Sequence, residues 1–294
     1  ALGTCALRGN QTANDNTAVG MRSLFTNTTG AENTGLGFSA LKLNTTGCQN
    51  VAVGALAGDA ITTGHENVAV GYKALTTATT SCGNVAVGMC SLHNHTTGGD
   101  NNAIGMCSQF TTSTGYGNNS MGHKSMELNT TGGSNVAIGE QSLRRNTTAC
   151  NNVAVGTEAL CANTTATENT AIGYKALKAN TTGAANTAVG LCSLTANSTG
   201  TRNVAVGMSA LLANTTATDQ VAVGHQALDT ATTGSENTAV GKSALATSTS
   251  GAINTAVGAY ALCNTTTSCC SVAVGYQSLL ANTTGARNVG VGGH

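Results

Sequence analysis

The sequence contains no proline and no tryptophan, and only 3% of its 294 residues are aromatic. Such a composition excludes a conventional core of large side chains, so the chain must pack small residues closely and depend on backbone hydrogen bonds. Only 8% of the residues are charged and the formal net charge is zero. This balance excludes the basic surface that nucleic-acid-binding domains carry. No apolar run approaches the roughly 18–20 residues that a membrane span needs.

A repeat of seventeen residues runs through the whole sequence. Residues 169–185 read NTAIGYKALKANTTGAA and residues 186–202 read NTAVGLCSLTANSTGTR. We call each repeat a coil and number its positions as columns 1 to 17, with Asn16 in column 1. A partial coil (1–15) precedes sixteen complete coils (16–287), and a second partial coil (288–294) follows, without insertion or deletion. The sequence therefore predicts a single repeat array over residues 1–294.

Apolar residues keep their register in this array, which argues against disorder despite the low complexity. Column 4 is Val, Ile, Leu or Met in every coil, and column 9 is Leu in all but three complete coils. A repeat of seventeen residues is too short for a helix pair. We therefore predict an all-β fold, a parallel β-solenoid of about 17 stacked coils. At the spacing of about 4.8 Å between strands, it would form a rod about 80 Å long.

Each column suggests a place in the coil. Columns 1–4 alternate as a strand does, so columns 2 and 4 are expected to share a face. The unbroken glycine of column 5 indicates positive φ or close backbone approach. Columns 7–10 are predicted to form a second strand with the column-9 leucine inward and a small residue at column 8. The column-4 and column-9 side chains would form a thin core, and Asn in column 1 and Thr in column 14 would form ladders.

The unit N-x-A-V/I-G followed by A/S-L resembles the head repeats of trimeric autotransporter adhesins. It is also similar to repeat segments of phage tail fibres that precede a self-cleaving chaperone domain. Residues 84–88 (NVAVG) and 254–258 (NTAVG) carry the motif, which recurs in nearly every coil. The adhesin resemblance implies a left-handed parallel β-roll, usually trimeric, that is presented outside the cell.

The N-glycosylation sequon recurs along the chain. If these asparagines carry sugar, glycans would line one edge of a secreted protein. Consecutive coils would place them about 4.8 Å apart, which is closer than the width of a branched glycan. The alternative is that N-T-T is only the hydrogen-bonding chemistry of this side. The candidates are Asn10, Asn27, Asn44, Asn129, Asn146, Asn163, Asn180, Asn197, Asn214 and Asn282 in column 12, and Asn94, Asn118 and Asn264 elsewhere.

The eleven cysteines also sort by column, and three pairs are disulfide candidates. Cys90 and Cys107 share column 7 in neighbouring coils, within the Cα separation that a disulfide allows. Columns 10 and 16 hold the other pairs, Cys263 with Cys269 and Cys150 with Cys161. Because eleven is odd, at least one thiol is free or bonded between chains. The alternative is that cysteine only replaces Ser, Ala or Thr.

No catalytic or metal-binding constellation emerges from the sequence. Only His123 and His225 share a column among six histidines, six coils or about 29 Å apart, so we expect histidines to face solvent. No C-x-x-C motif, no paired carboxylates with a base and no phosphate-binding glycine loop are present. We therefore expect neither an enzyme, nor a cofactor, nor a metal, nor a nucleic-acid partner.

These features favour a structural subunit or shaft of an extracellular fibre or filament, glycosylated or not, with an adhesive or protective role. Neither end departs from the repeat, so we expect either that the chain is a stretch of something longer or that its ends stack on other molecules. Both alternatives favour a fibre, and we predict self-association, head-to-tail or lateral, with a trimer as one option. The expected location is extracellular, on a cell or virion surface. Two alternatives stay open. One is a ligand-binding solenoid that binds ice through the threonine ranks of columns 13 and 14, and the other is a viral host-attachment tail fibre.

Overall fold

The computed structural model describes residues 1–293 and shows an all-β parallel β-solenoid. Over these residues there are seventeen strands of three residues at seventeen-residue spacing, and no helix. The predicted fold class is therefore confirmed. The chain divides into two compact units, Ala1–Cys150 and Asn151–His294, each built from the same coil.

Every strand occupies columns 2–4 of its coil. The first unit contains β1 Thr17–Val19, β2 Thr34–Leu36, β3 Val51–Val53, β4 Val68–Val70, β5 Val85–Val87, β6 Asn102–Ile104, β7 Asn119–Met121 and β8 Val136–Ile138. The second contains β9 Val153–Val155, β10 Thr170–Ile172, β11 Thr187–Val189, β12 Val204–Val206, β13 Val221–Val223, β14 Thr238–Val240, β15 Thr255–Val257, β16 Val272–Val274 and β17 Val289–Val291.

Within each unit, successive strands pair in parallel with matching columns opposite one another. Val51 faces Val68 and Val53 faces Val70, for example. The hydrogen bonds run to the coils on both sides, since the N–H of Val68 donates to Asn84 O at 2.8 Å and that of Gly71 to Val53 O at 2.8 Å. Paired strand residues are therefore seventeen positions apart in the sequence, which is one coil.

The middle residue of each strand points into the solenoid, and this corrects the predicted core. Ala171 is fully buried whereas Ile172 of column 4 is 40% exposed. Columns 2 and 4 do share a face, as predicted, but it is the outer one. The interior at column 3 has little room, because a Cβ built on Gly290 would lie 2.7 Å from Leu279 Cγ. The core therefore consists of column-3 alanines packed against the column-9 leucines.

Columns 7–10 form tight turns, so the predicted second strand is wrong. Lys175 in column 7 and Leu177 in column 9 both adopt left-handed backbone, with φ of 56° and 52°. Their N–H groups donate to Thr157 O and Ser193 O, both at 3.0 Å, and thus join the coils on either side. The column-9 leucine is buried as predicted, and so is the small residue of column 8. The hydrogen bonds and this burial offset a left-handed conformation that costs about 1–2 kcal/mol per residue.

The column-5 glycines satisfy both conditions that the sequence predicts. Gly54 has φ of +131°, and a Cβ there would lie 2.7 Å from the carbonyl oxygen of Gly71 in the next coil. Any side chain would therefore meet both backbone strain and a steric clash.

Column 1 forms the predicted asparagine ladder, and it lies inside the fold. The side-chain amide of Asn67 donates to Asn50 Oδ1 at 3.0 Å and to Ser81 O at 2.8 Å. Asn50 Oδ1 also accepts the backbone N–H of Asn67 at 3.1 Å. Each buried amide thus links its coil to the preceding coil and also bonds to the column-15 turn of its own coil.

The threonine ladder lies in column 13 and not in column 14 as predicted. The Thr181 hydroxyl donates to Ser198 O at 3.0 Å, a carbonyl that also accepts the N–H of Thr181 at 2.9 Å. Thr182 in column 14 is exposed. Asn180 in column 12 is fully buried. Column 12 therefore lies inside the fold and column 14 faces water.

In two coils of the first unit, an unusual residue in column 9 is matched by a second substitution nearby. In one, Gly58 stands in column 9 and Ile61 in column 12, and a Cβ on Gly58 would lie 3.1 Å from Ile61 Cδ1. Ile61 therefore occupies space that the usual leucine fills. In the other, buried Gln109 stands in column 9, and its amide donates to the hydroxyl of Ser120, which replaces a column-3 alanine, at 2.9 Å.

Candidate functional site

The outer side of the strands is an exposed apolar surface. Strand alternation turns the column-2 and column-4 side chains outward, and we call these two columns of each unit the apolar face. Away from the two terminal coils, its most exposed column-4 side chains are 36–50% exposed. These are Leu36, Ile104, Met121 and Ile138 in the first unit, and Ile172, Val206, Val240, Val257 and Val274 in the second. No charged residue occurs in column 2 or column 4 of any coil.

Column 6 adds further apolar side chains at the corner that follows the glycine turn. They are 42–54% exposed. Its large apolar members are Met21, Phe38, Tyr72, Met89 and Met106 in the first unit, and Tyr174, Leu191, Met208 and Tyr276 in the second.

The area of the apolar face matches that of the largest exposed apolar patches on typical monomers. Nine strands of the second unit, about 4.8 Å apart, extend about 38 Å, and three residues span about 10 Å. The face of this unit thus covers about 380 Å². Exposed apolar patches of about 300–600 Å² are the largest that typical monomers carry, and they are often functional. The face can therefore bind another apolar surface without first removing water from charges.

A polar step interrupts the face in the first unit. Asn102 and Asn119 replace the usual Val or Thr of column 2 and hydrogen-bond to each other at 2.7 Å. Together with Ile104, Met121 and Ile138 they line a shallow depression in the outer surface. A partner that covers this face would have to accommodate that step.

The sequons of column 12 are inside the fold, which bears on the predicted glycans. The amide of Asn180 uses both of its hydrogens, donating to Asn163 Oδ1 at 3.1 Å and to Gly183 O at 2.8 Å. A sugar on such a nitrogen would break the ladder and has no space. The fully buried sequon asparagines are Asn27, Asn44, Asn118, Asn129, Asn146, Asn163, Asn180, Asn197 and Asn214.

Glycosylation stays a prediction for the sequons that reach the surface. Asn94 and Asn264, in column 11, and Asn10 in the first partial coil are exposed, and Asn282 is half-buried. Sugar on these positions would be sparse. A continuous row of glycans in column 12 does not fit this fold, in addition to the crowding that the coil spacing implies.

Two of the three predicted disulfide pairs are unbonded in this structure, and both pairings stay predictions. Cys90 and Cys107 carry free thiols, as do Cys263 and Cys269. Burial, with a smaller effect of the neighbouring Cys90, raises the pKa of Cys107, which keeps this thiol protonated at neutral pH. The pairing of Cys150 with Cys161 stays a prediction.

The charged side chains make local ion pairs between neighbouring coils. Arg144 Nε lies 2.6 Å from Glu127 Oε2, and Lys178 Nζ lies 2.7 Å from Glu158 Oε2. The hydrogen bond from Lys178 holds the pKa of Glu158 below its usual range. At this exposure each pair contributes little to stability. Such pairs link neighbouring coils and do not form a reactive centre.

His95 is an exception to the expected exposure of histidines. It replaces Asn in column 12, is fully buried, and its Nε2 donates to Gly98 O at 2.6 Å. Burial lowers its pKa, so it is neutral in the folded chain. In the part of the chain that the structure describes, no group of three or more His, Cys, Asp or Glu side chains is placed to hold a metal ion. None of residues 1–293 belongs to a helix long and apolar enough to cross a membrane.

Sequence reasoning missed the apolar face because it placed the larger column-4 side chain inside. The informative signal was the residue between the two β-branched positions. Column 3 is Ala in nearly every coil, with Gly35, Ser120 and Gly290 among its few exceptions. A column restricted to such small residues indicates the crowded side of a strand, and its larger neighbours must then face outward. Comparison of the chain with protein-family models, curated proteins and solved structures found no match.

Proposed function

We propose that this chain is a structural subunit of an extracellular fibre that assembles through the apolar face. The observation that carries the proposal is the uncharged face of partly exposed Val, Ile, Leu and Met along each unit. Leaving such a surface in water is unfavourable, and covering it provides the driving force for association.

A second copy of the chain is the partner that fits this face best. Its side chains repeat at the strand spacing, so the face of another copy offers apolar rows with the same period. Rows of equal period can interdigitate over their whole length as a dry interface, as in paired sheets. Two copies or three, each contributing the same face, are consistent with this packing. The resemblance to adhesin head repeats supports the trimer and the extracellular location.

The size of the effect follows from the exposed fractions. Full burial of an isoleucine is worth about 1.5–3 kcal/mol, and Ile172 retains 40% of its exposure. Covering it would contribute about 1 kcal/mol, and a face of nine strands repeats this contribution. A lysine at the same place would instead require an unpaired charge to be buried, which costs several kcal/mol.

The proposal is tested by placing two lysines on the face, Ile172→Lys with Val206→Lys. The control variant carries Thr182→Lys with Thr216→Lys, at exposed column-14 positions of the same coils. We expect the wild type and the control to sediment as oligomers or filaments, and the face variant to dissociate at more than 100-fold higher concentration. Circular dichroism checks that all three are folded. Monomeric wild-type chain, or equal assembly of both variants, would overturn the proposal.

The location outside the cell needs its own experiment. An antibody against the chain should label intact source cells or particles, and added protease should cleave the chain without lysis. Labelling only after permeabilisation would reject this part of the proposal.

One observation favours a second candidate function, ice binding through threonine. Column 14 is Thr in every complete coil but one, where it is Ser250, and these side chains are exposed at the strand spacing. The column-13 hydroxyls donate hydrogen bonds to the neighbouring coil, as that of Thr181 does to Ser198 O. Only one hydroxyl rank therefore faces water. Thermal hysteresis that is lost on replacing Thr182, Thr199 and Thr216 with lysine would support this function, and its absence in the wild type would exclude it.

A further inference from the structure

Four sulfur-containing side chains lie at one corner of the first unit. Met89 and Cys90 occupy columns 6 and 7 of one coil, and Met106 and Cys107 occupy the same columns of the next. The strands that precede them, β5 and β6, pair in parallel and in register. The N–H of Cys107 donates to Met89 O at 3.0 Å, so the two coils are in direct contact at this corner.

Side chains in columns 6 and 7 reach one another elsewhere in the fold. Within one coil, Lys73 Nζ lies 5.4 Å from the centre of the Tyr72 ring. Between neighbouring coils, the rings of Tyr260 and Tyr276 are 6.3 Å apart. The same columns therefore place the four sulfur-containing side chains on adjacent positions of one corner, two in each of two neighbouring coils.

The chemistry of these donors selects a soft cation. Met89 and Met106 are 46% and 42% exposed, and both cysteines carry free, half-buried thiols. Thioethers and thiolates bind Cu(I) in preference to hard cations, which take oxygen ligands. Methionine is also flexible enough to adjust its sulfur to a metal.

The surrounding charges suit an anionic complex. Column 7 reads Lys73, Cys90, Cys107 and Lys124 in four successive coils, so a lysine stands on each side of the cysteine pair. Two thiolates on one Cu(I) leave a net charge of about −1, which the flanking lysines offset. Lys124 also forms an ion pair with Glu127, since Lys124 Nζ lies 3.5 Å from Glu127 Oε1.

We propose that Met89, Cys90, Met106 and Cys107 form a binding site for monovalent copper. On binding, each thiol releases its proton to solvent as a Cu–S bond forms, and the two thioethers donate lone pairs. Copper stays in the +1 state, and no electron is transferred. The site belongs to the column-6 corner and is independent of whether the apolar face binds a second copy.

The test uses the full chain, reduced and kept anaerobic, titrated with Cu(I) in competition with bicinchoninate. We expect Cys90→Ser with Cys107→Ser to bind one copper fewer per chain than the wild type. Met89→Leu with Met106→Leu should retain that copper with at least 10-fold weaker affinity. Cys192→Ser is the matched control, because Cys192 stands alone in column 7 between Lys175 and Ser209. It should leave the stoichiometry and affinity of the tested site unchanged.

X-ray absorption at the copper edge should show sulfur ligands, with fewer of them in the methionine variant. Circular dichroism checks that every variant keeps the fold. Equal copper binding by the wild type and the double-serine variant would overturn the proposal. So would an unchanged affinity of the methionine variant.

Discussion

Replacing Asn203 with alanine tests how much the buried column-1 ladder contributes to the stability of the solenoid. The Asn203 side chain is fully buried. It donates to Asn186 Oδ1 at 3.1 Å and to Ala217 O at 2.9 Å, and its Oδ1 accepts the N–H of Gln220 at 3.1 Å. Alanine removes these three bonds and supplies no substitute.

The expected loss follows from the groups left behind. Alanine would leave the N–H of Gln220 without its partner, and the carbonyl of Ala217 would keep only the longer bond from Asn214 Nδ2 at 3.3 Å. A buried polar group without a partner costs about 1–3 kcal/mol. With the weakened bond to Ala217 and the small cavity added, we expect Asn203→Ala to lower the free energy of unfolding by about 2–4 kcal/mol.

Urea unfolding followed by circular dichroism measures this loss for the full chain. Because stacked coils need not unfold in one step, amide hydrogen exchange at Gln220 provides a local measure. Thr199→Ala, at an exposed column-14 position, is the control and should stay within about 0.5 kcal/mol of the wild type. A loss below about 1 kcal/mol for Asn203→Ala, with unchanged exchange at Gln220, would refute the reasoning.

Three further changes test other features of the coil. Burial lowers the pKa of His95, so as the pH falls the unfolded chain takes up this proton before the folded chain does. The free energy of unfolding should therefore decrease below about pH 6.5, by up to 1.4 kcal/mol per pH unit. Urea unfolding of the wild type and of His95→Asn at pH 7.5 and 5.0 should show this decrease in the wild type alone. Gln226 has left-handed backbone with φ of 56°, and Gln226→Gly removes the strain of that conformation. It should raise the free energy of unfolding by about 0.5–1 kcal/mol. The control Thr216→Gly, at an exposed position without this strain, should lower the free energy of unfolding in the same assay. Gly224→Ala places a Cβ 2.6 Å from Gly241 O at φ of +134°, and a loss of about 2–4 kcal/mol is expected; wild-type stability in the urea melt would disprove the close packing.

The coil length, the parallel stacking, the column-5 glycine, the buried column-9 leucine and the column-1 ladder could all be predicted from the sequence. Periodicity carries this information directly, because a position that repeats every seventeen residues meets its own copy in the next coil. An unbroken glycine column, such as Gly54 and Gly71, likewise has few physical explanations.

The turn at columns 7–10 could not be predicted, because nothing in the sequence marks a leucine as left-handed. Leu177 adopts φ of 52° only because its side chain is held in the core and its N–H is bonded to Ser193. Local propensity argues against that conformation, and tertiary contacts override it. The candidate site was missed for a related reason. Apolar character alone does not tell whether Ile172 or Ala171 faces inward, and the larger side chain was the misleading choice.

The two irregular coils have a consequence for how the chain avoids misfolding. In a uniform repeat, a coil that docks one repeat out of place makes almost the same contacts as the correct one, so slipped forms compete with the native stack. Gln109 finds the hydroxyl of Ser120 only in the correct alignment, and a slip would place its buried amide against an alanine methyl. Ile61 likewise fills the space above Gly58 in one alignment alone. These departures from the consensus act as alignment marks, and a chain with Gln109→Leu and Ser120→Ala should refold into more slipped species than the natural sequence.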